Sequence, residues 1–289
     1  MAIIGMIFDF DDTLVPDSTT QFLRKHGVDP KVFWEKEVKD LVLAGYDPTT
    51  AYLKSFLDKV GEGKPLGLLT NTKLHKFGKE IESTFYPGIE DLIKDSKKIV
   101  KKFKKIEIEF YIVSGGLLDI IEGCRLVKKY FSGVYACQLA GDFDGGVLKY
   151  IKRSISFTEK TRYIFEINKG IPPEDSRKNP YLVNTFVPKT DRRIQLCNMI
   201  YVGDGLTDIP CFSLLLAQEI RGLPFGVFNP EDEESAKRAL IEFLKPDRVI
   251  SMHAPKYRKN DELGSLLRAA IAGICNRILI SEQLARKIN

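Results

Sequence analysis

Met6-Ile7-Phe8-Asp9-Phe10-Asp11-Asp12-Thr13-Leu14-Val15 is the stretch on which the fold turns. An apolar run ends abruptly in three acids. Such a run reads as a buried central strand. The acids then sit at the carboxyl edge of the sheet, where open α/β sheets bind ligands. Asp9 and Asp11 are alternate residues, so an extended chain aims both the same way, while Asp12 points elsewhere. Two carboxylates about 4 Å apart, at an effective dielectric of about 20, repel by about 4 kcal/mol. A shared proton, a basic neighbour or a metal must offset that cost. The oxygen-only donor set favours a hard cation, Mg²⁺ first. The pair could also divide labour as nucleophile and acid/base. The plainer alternative is a solvated acidic turn after a strand.

Downstream, Pro16 breaks the strand and Asp17 or Ser18 is placed to cap a helix. Residues 19–83 repeat apolar positions at threes and fours and show no strand pattern, which predicts a small all-helical insert ending at Tyr86-Pro87-Gly88. The pattern then changes. A helix is expected over Ile89–Lys105. A strand follows from Ile106 to Val113, stopped by Ser114-Gly115-Gly116, and then a helix over Leu117–Tyr130. Val134–Leu139 reads as a strand, Asp142 to Val147 as a hairpin turn, and Thr158 as the cap of a helix running to Gly170. The Pro- and Asn-rich residues 170–193 are either a loop over the site or a long connection. Met199–Val202 is a strand ending in Gly203-Asp204-Gly205-Leu206-Thr207-Asp208. A strand at Phe225–Phe228, a helix near Glu231–Leu244 and a strand around Val249-Ile250 follow. This alternation predicts an α/β fold, a Rossmann-like doubly wound and mostly parallel sheet. The last helix carries Leu263, Leu267, Ile271 and Ile274 at helical spacing, for packing on the core ahead of pairing with a second copy.

The 289 residues are 44% hydrophobic and 29% charged, which suits a sizeable core. Net charge is +5, but the lysines alternate with acids, and no basic face with aromatic partners points to nucleic acid. Cys124, Cys137, Cys197, Cys211 and Cys275 are far apart, without zinc spacing, as expected of free thiols in a reducing compartment. The N-terminal apolar run is too short for a signal peptide, and Arg268 and Arg277 interrupt the last helix too deeply for a membrane span. A cytoplasmic enzyme, with no membrane partner, is the expectation.

In a parallel sheet all carboxyl edges lie on one side, so Asp9/Asp11, Ser114 and Asp204/Asp208 should meet there, with Lys160 near a helix start able to join them. Acids, a hydroxyl, an amine and glycines suit Mg²⁺ with a phosphoryl group. At this point the chain resembles the haloacid dehalogenase superfamily of phosphatases. Asp9-Phe10-Asp11-Asp12-Thr13 matches its DxDxT motif, Ser114 its second motif, Lys160 its third, and Gly203-Asp204-Gly205-Leu206-Thr207-Asp208 its GDGxxD motif, in the family order. The match covers residues 1–15 and about 88–230. Ser114-Gly115-Gly116 and Tyr86-Pro87-Gly88 are similar to the phosphoserine phosphatase group.

The resemblance implies a discontinuous core of residues 1–15 and 88–289, with residues 16–87 as a C1-type helical cap. It implies Asp9 as nucleophile forming an aspartyl-phosphate and Asp11 as acid/base. It implies Mg²⁺ held by Asp9, the Asp11 carbonyl and Asp204, with Asp208 ordering the metal site. Phosphate would be gripped by Ser114, Lys160 and N–H groups near Asp11, Asp12 and Gly115, the last at a helix start. Lys152 is a rival for the part of Lys160. The implied function is a phosphomonoesterase for a small phosphorylated metabolite. A phosphotransferase or mutase, a nucleotidase and a non-catalytic binding protein are the alternatives. The chain departs from the phosphoserine group where Asp17 and Ser18 stand in place of a glutamate, and residues 170–193 and the extension beyond about residue 245 have no obvious counterpart there.

Overall fold

The computed structural model describes residues 1–288. Strand β1 (Ala2–Phe8) is followed by helical structure only, up to residue 101: α1 (Ser18–Lys25), α2 (Pro30–Val32), a π turn (Phe33–Val38), α3 (Lys39–Leu43), α4 (Pro48–Asp58), α5 (Asn71–Glu80) and α6 (Ile89–Lys101). Then come β2 (Ile106–Leu117), α7 (Leu118–Gly123), α8 (Arg125–Tyr130), β3 (Gly133–Ala140), β4 (Tyr150–Arg153), α9 (Phe157–Lys169) and α10 (Pro173–Lys178). The chain continues through β5 (Met199–Gly203), α11 (Ile209–Leu216), β6 (Leu223–Val227), α12 (Glu233–Arg238), β7 (Met252–His253) and α13 (Glu262–Ile288).

Among the described residues the strands form one seven-stranded sheet, ordered β4-β3-β2-β1-β5-β6-β7. Every pairing is parallel except β3 with β4. The fold is therefore α/β with a mostly parallel sheet, compatible with a Rossmann-like arrangement. The order reverses at β1, the strand with the fully apolar run, so a crevice opens beside its carboxyl end. Both sheet faces are covered. On one, Phe8 meets Phe131 and Tyr257 edge-on. On the other, Tyr201 packs on Phe212, which packs on Phe243.

Several boundaries differ from expectation. β2 does not stop at Ser114 but runs on to Leu117, with irregular pairing to β3 between Val113 and Leu117. The single helix expected over Leu117–Tyr130 is two, split at the extended Cys124. The split is where α5 docks: Gly78 lies against Ile120 and Gly123, and the Cys124 thiol donates to the Gly78 carbonyl at 3.2 Å. Ser156, not Thr158, precedes α9, which leaves Thr158 inside the first turn. The last strand is displaced from Val249-Ile250 to Met252–His253, because a turn with Asp247 at φ 52° comes first.

Residues 170–193 form α10 and short 3-10 turns, not a loop over the site. Lys169 donates to the carbonyls of Val183 and Thr185, and Arg193 pairs with Glu109 in the first half of β2, so the stretch is a connection away from the carboxyl edge. α13 is long and apolar enough to cross a membrane. Here its face of Leu263, Leu267, Ile271 and Ile274 is buried in the core. Arg268 is buried with it and donates to the carbonyls of Tyr257 and Gly264.

Candidate active site

The register brings the motifs together. Phe8 lies opposite Ile112 of β2 and Val202 of β5, and the Asp9 N–H continues the ladder to the Val202 carbonyl at 2.8 Å. Asp9 and Asp204 thus leave adjacent strands near one level of the carboxyl edge, and Ser114 lies beside them within β2. Asp9 is buried; its Oδ1 accepts from the Phe10 N–H at 2.6 Å and its Oδ2 from Lys160 Nζ at 2.7 Å. The same ammonium donates to Asp208 Oδ1, also at 2.7 Å. Asp208 is fully engaged: Tyr201 Oη donates to Oδ1 at 2.5 Å and the Gly205 N–H to Oδ2 at 2.9 Å.

Lys160 and Asp208 have no exposed surface. Burial opposes the lysine charge, but Asp208 and Asp9 more than offset it, and the ammonium is held above the ordinary lysine range. Removing one member of such a group leaves a buried charge unpaired, which is why all must be present together.

Asp11 and Asp12 lie on the turn after β1. The Leu14 and Val15 N–H groups both reach back to the Phe10 carbonyl, which closes the turn. Asp12 takes φ 52°, a left-handed conformation that Asp tolerates better than most residues. Asp11 Oδ1 accepts from the Ser18 N–H at 2.7 Å, and Asp12 Oδ1 from the Asp17 N–H at 3.1 Å. Gly116 makes room for Asp11: a Cβ there would lie 2.4 Å from Asp11 Oδ2 and 3.3 Å from Ser114 Oγ. Any larger residue at 116 would displace the acid. Burial, then Asp17, pushes Asp11 well above the usual carboxylate range. Protein packed around Asp12 on its inner side, then Asp17, pushes Asp12 up to about 6. Asp204 is raised well above its usual value by burial, then by Asp12, Asp9 and Asp208.

Of the four acids expected at a metal, Asp9, Asp204 and Asp208 each offer an oxygen, and these oxygens lie within 4.8 Å of one another. The Asp11 side chain is not in that group and faces Ser18 and Gly116. Asp208 is committed on both oxygens, so its part is to hold Lys160 and the Gly205 turn. Asp204, half-buried, is the least committed, with Thr13 Oγ1 at 3.4 Å and Arg238 at 3.8 Å. The donor set is all oxygen, and Asp204 and Asp208 are raised first by burial and then by neighbouring carboxylates; both features fit a hard divalent cation.

Ser114 is buried and its Oγ accepts from the Gly116 N–H at 3.0 Å. Gly115 is not at a helix start: α7 begins at Leu118, and Gly115 is extended backbone within β2. Lys152, the rival to Lys160, is exposed.

Tyr201, Thr13, Tyr52 and Arg238 were not singled out for these contacts by sequence. Tyr201 carried a signal, as a lone hydroxyl in the otherwise apolar strand Met199-Ile200-Tyr201-Val202. Tyr52 Oη donates to the Gly115 carbonyl from α4, and nothing in its helical spacing marks that contact.

No family model matches the chain. An uncharacterized protein of Borreliella burgdorferi is 33% identical over 236 residues, which span 74% of this chain and 78% of that one. The chain belongs to the family of that protein.

Proposed function

We propose that this family member is a Mg²⁺-dependent phosphomonoesterase of the haloacid dehalogenase type, acting on a small phosphorylated metabolite through an aspartyl-phosphate on Asp9. One observation carries the reading. A buried Asp9, oriented by Lys160, lies within shared-cation reach of Asp204 and beside an acid, Asp11, whose surroundings favour its protonated form.

A bound Mg²⁺ would neutralise phosphoryl charge and fix the phosphate in line with Asp9. Asp9 and Asp204 would hold it, with the Asp11 carbonyl. An Asp9 carboxylate oxygen attacks phosphorus, and the bond to the leaving oxygen breaks as Asp11 gives that oxygen its proton. Asp11, now a carboxylate, takes a proton from water, and the resulting hydroxide displaces Asp9 from phosphorus. Lys160 aims Asp9, and Asp208 holds Lys160. Ser114 Oγ and the Gly115 N–H would grip phosphoryl oxygens, and residues 16–87 would act as a cap, joined to β2 through the Tyr52 contact with the Gly115 carbonyl. The free cysteines fit a reducing compartment such as the cytoplasm.

The test is hydrolysis of p-nitrophenyl phosphate with and without Mg²⁺, beside Asp9→Asn. Turnover should require the metal and fall by about 10³-fold or more in the variant. Full turnover in Asp9→Asn, or turnover indifferent to the metal, would refute the reading.

A further inference from the structure

The chain beyond β7 does more than cover a sheet face. Tyr257, in the loop before α13, has no exposed surface and lies edge-on to Phe8. Its Oη donates to the Thr13 carbonyl at 2.7 Å, and its N–H donates to the Pro87 carbonyl at 2.8 Å. Thr13 and Pro87 belong to the two segments joining the helical insertion to the sheet, one leaving β1 and one entering α6. Those segments are also tied to each other, the Tyr86 N–H to the Leu14 carbonyl at 2.8 Å. Gly88, at φ 89°, permits the approach, since a Cβ there would lie 2.3 Å from the Arg258 nitrogen. Arg268 fixes Tyr257 from behind, donating to its carbonyl at 3.0 Å while paired with Asp95 of α6 at 3.1 Å. The contact continues inward, because Thr13, fully buried, turns its hydroxyl toward Asp204.

We propose that Tyr257 is a positioning residue: the C-terminal segment braces both connections of the insertion and, through Thr13, holds the Asp11–Thr13 turn against Asp204. The part this plays in turnover rests on the phosphatase reading; the brace itself does not.

Native-state hydrogen exchange on the full chain tests it, in Tyr257→Phe and, as control, Tyr135→Phe. Tyr135 is also buried, at 4% exposed, and its Oη also donates to a backbone carbonyl, that of Ile171 at 2.8 Å, away from the site. In Tyr257→Phe, exchange at the Asp17, Ser18 and Tyr86 amides should quicken by roughly two- to tenfold, the worth of one hydrogen bond, with β1 and β5 unchanged. Tyr135→Phe should leave those amides alone, and Arg268→Lys should move them in the same direction as Tyr257→Phe. Unchanged exchange in Tyr257→Phe, or an equal gain in the control, overturns the proposal. Where wild type turns over p-nitrophenyl phosphate, Tyr257→Phe should lower kcat with KM within about twofold. A change in KM alone also overturns it. An inactive wild type would remove the phosphatase reading and leave the exchange result standing.

Discussion

Around Lys160, two carboxylates converge on one buried ammonium, a phenol donates to one of them, and both carboxylate oxygens of Asp208 are partnered. Around Asp11, a few residues away, Asp12, Asp17 and Asp204 add three more carboxylates, with the half-exposed Arg238 3.8 Å from Asp204. The Lys160 half is complete as folded and needs nothing further to hold its shape. The Asp11 half is held in repulsion by the fold and gains from any proton or cation that enters. Under the proposed phosphoryl transfer, the first arrangement would aim the nucleophile and the second would receive charge during the reaction.

The sharpest way to break the contrast is to remove its cation. Lys160→Met leaves Asp9 and Asp208 buried without their ammonium and should cost about 3–5 kcal/mol at pH 7 in urea unfolding. The loss should shrink at pH 5, where the orphaned carboxyls take up protons. A loss under about 1 kcal/mol at pH 7 would mean that the group is not held as a unit.

The Asp11 half predicts a smaller effect of pH. Asp11, Asp12, Asp17 and Asp204 all sit above their ordinary values, Asp12 at about 6. Groups raised on folding bind protons more tightly in the folded state, so their contribution is full below the unfolded value of about 3.9 and is lost as pH rises through the folded values. Metal-free protein should therefore lose stability between about pH 4 and pH 7. Mg²⁺ should raise the melting temperature more at pH 7.5 than at pH 5. Glu90, held at about 2 by Tyr130, Lys94 and Lys129, acts in the opposite sense, and only below about pH 4. A metal-free stability that climbs steadily from pH 4 to pH 7 would contradict the assignment.

How far the sequence could be read follows the same division. The parallel sheet was legible because β1, β2 and β5 are apolar runs ending in polar residues, a pattern set by burial on both faces. The meeting of Asp9 and Asp204 followed from topology, whereas Lys160, on a helix, is marked only as able to join them and by the family resemblance. What escaped depended on close backbone approach. The break at Cys124 comes from α5 pressing on Gly123, and the extended Gly115 from the irregular end of β2. Neither is written in a local period. Tyr257 lies 244 residues from the carbonyl it holds, and no spacing rule spans that distance.

The central claim is that acids from separate strands share one divalent cation. Mn²⁺ titration by calorimetry, on wild type and Asp204→Asn at pH 7.5, tests it most directly. The account predicts one saturable site in wild type, displaced by Mg²⁺ and weakened by about tenfold or more in the variant. No saturable site, or equal affinity in both proteins, would contradict it.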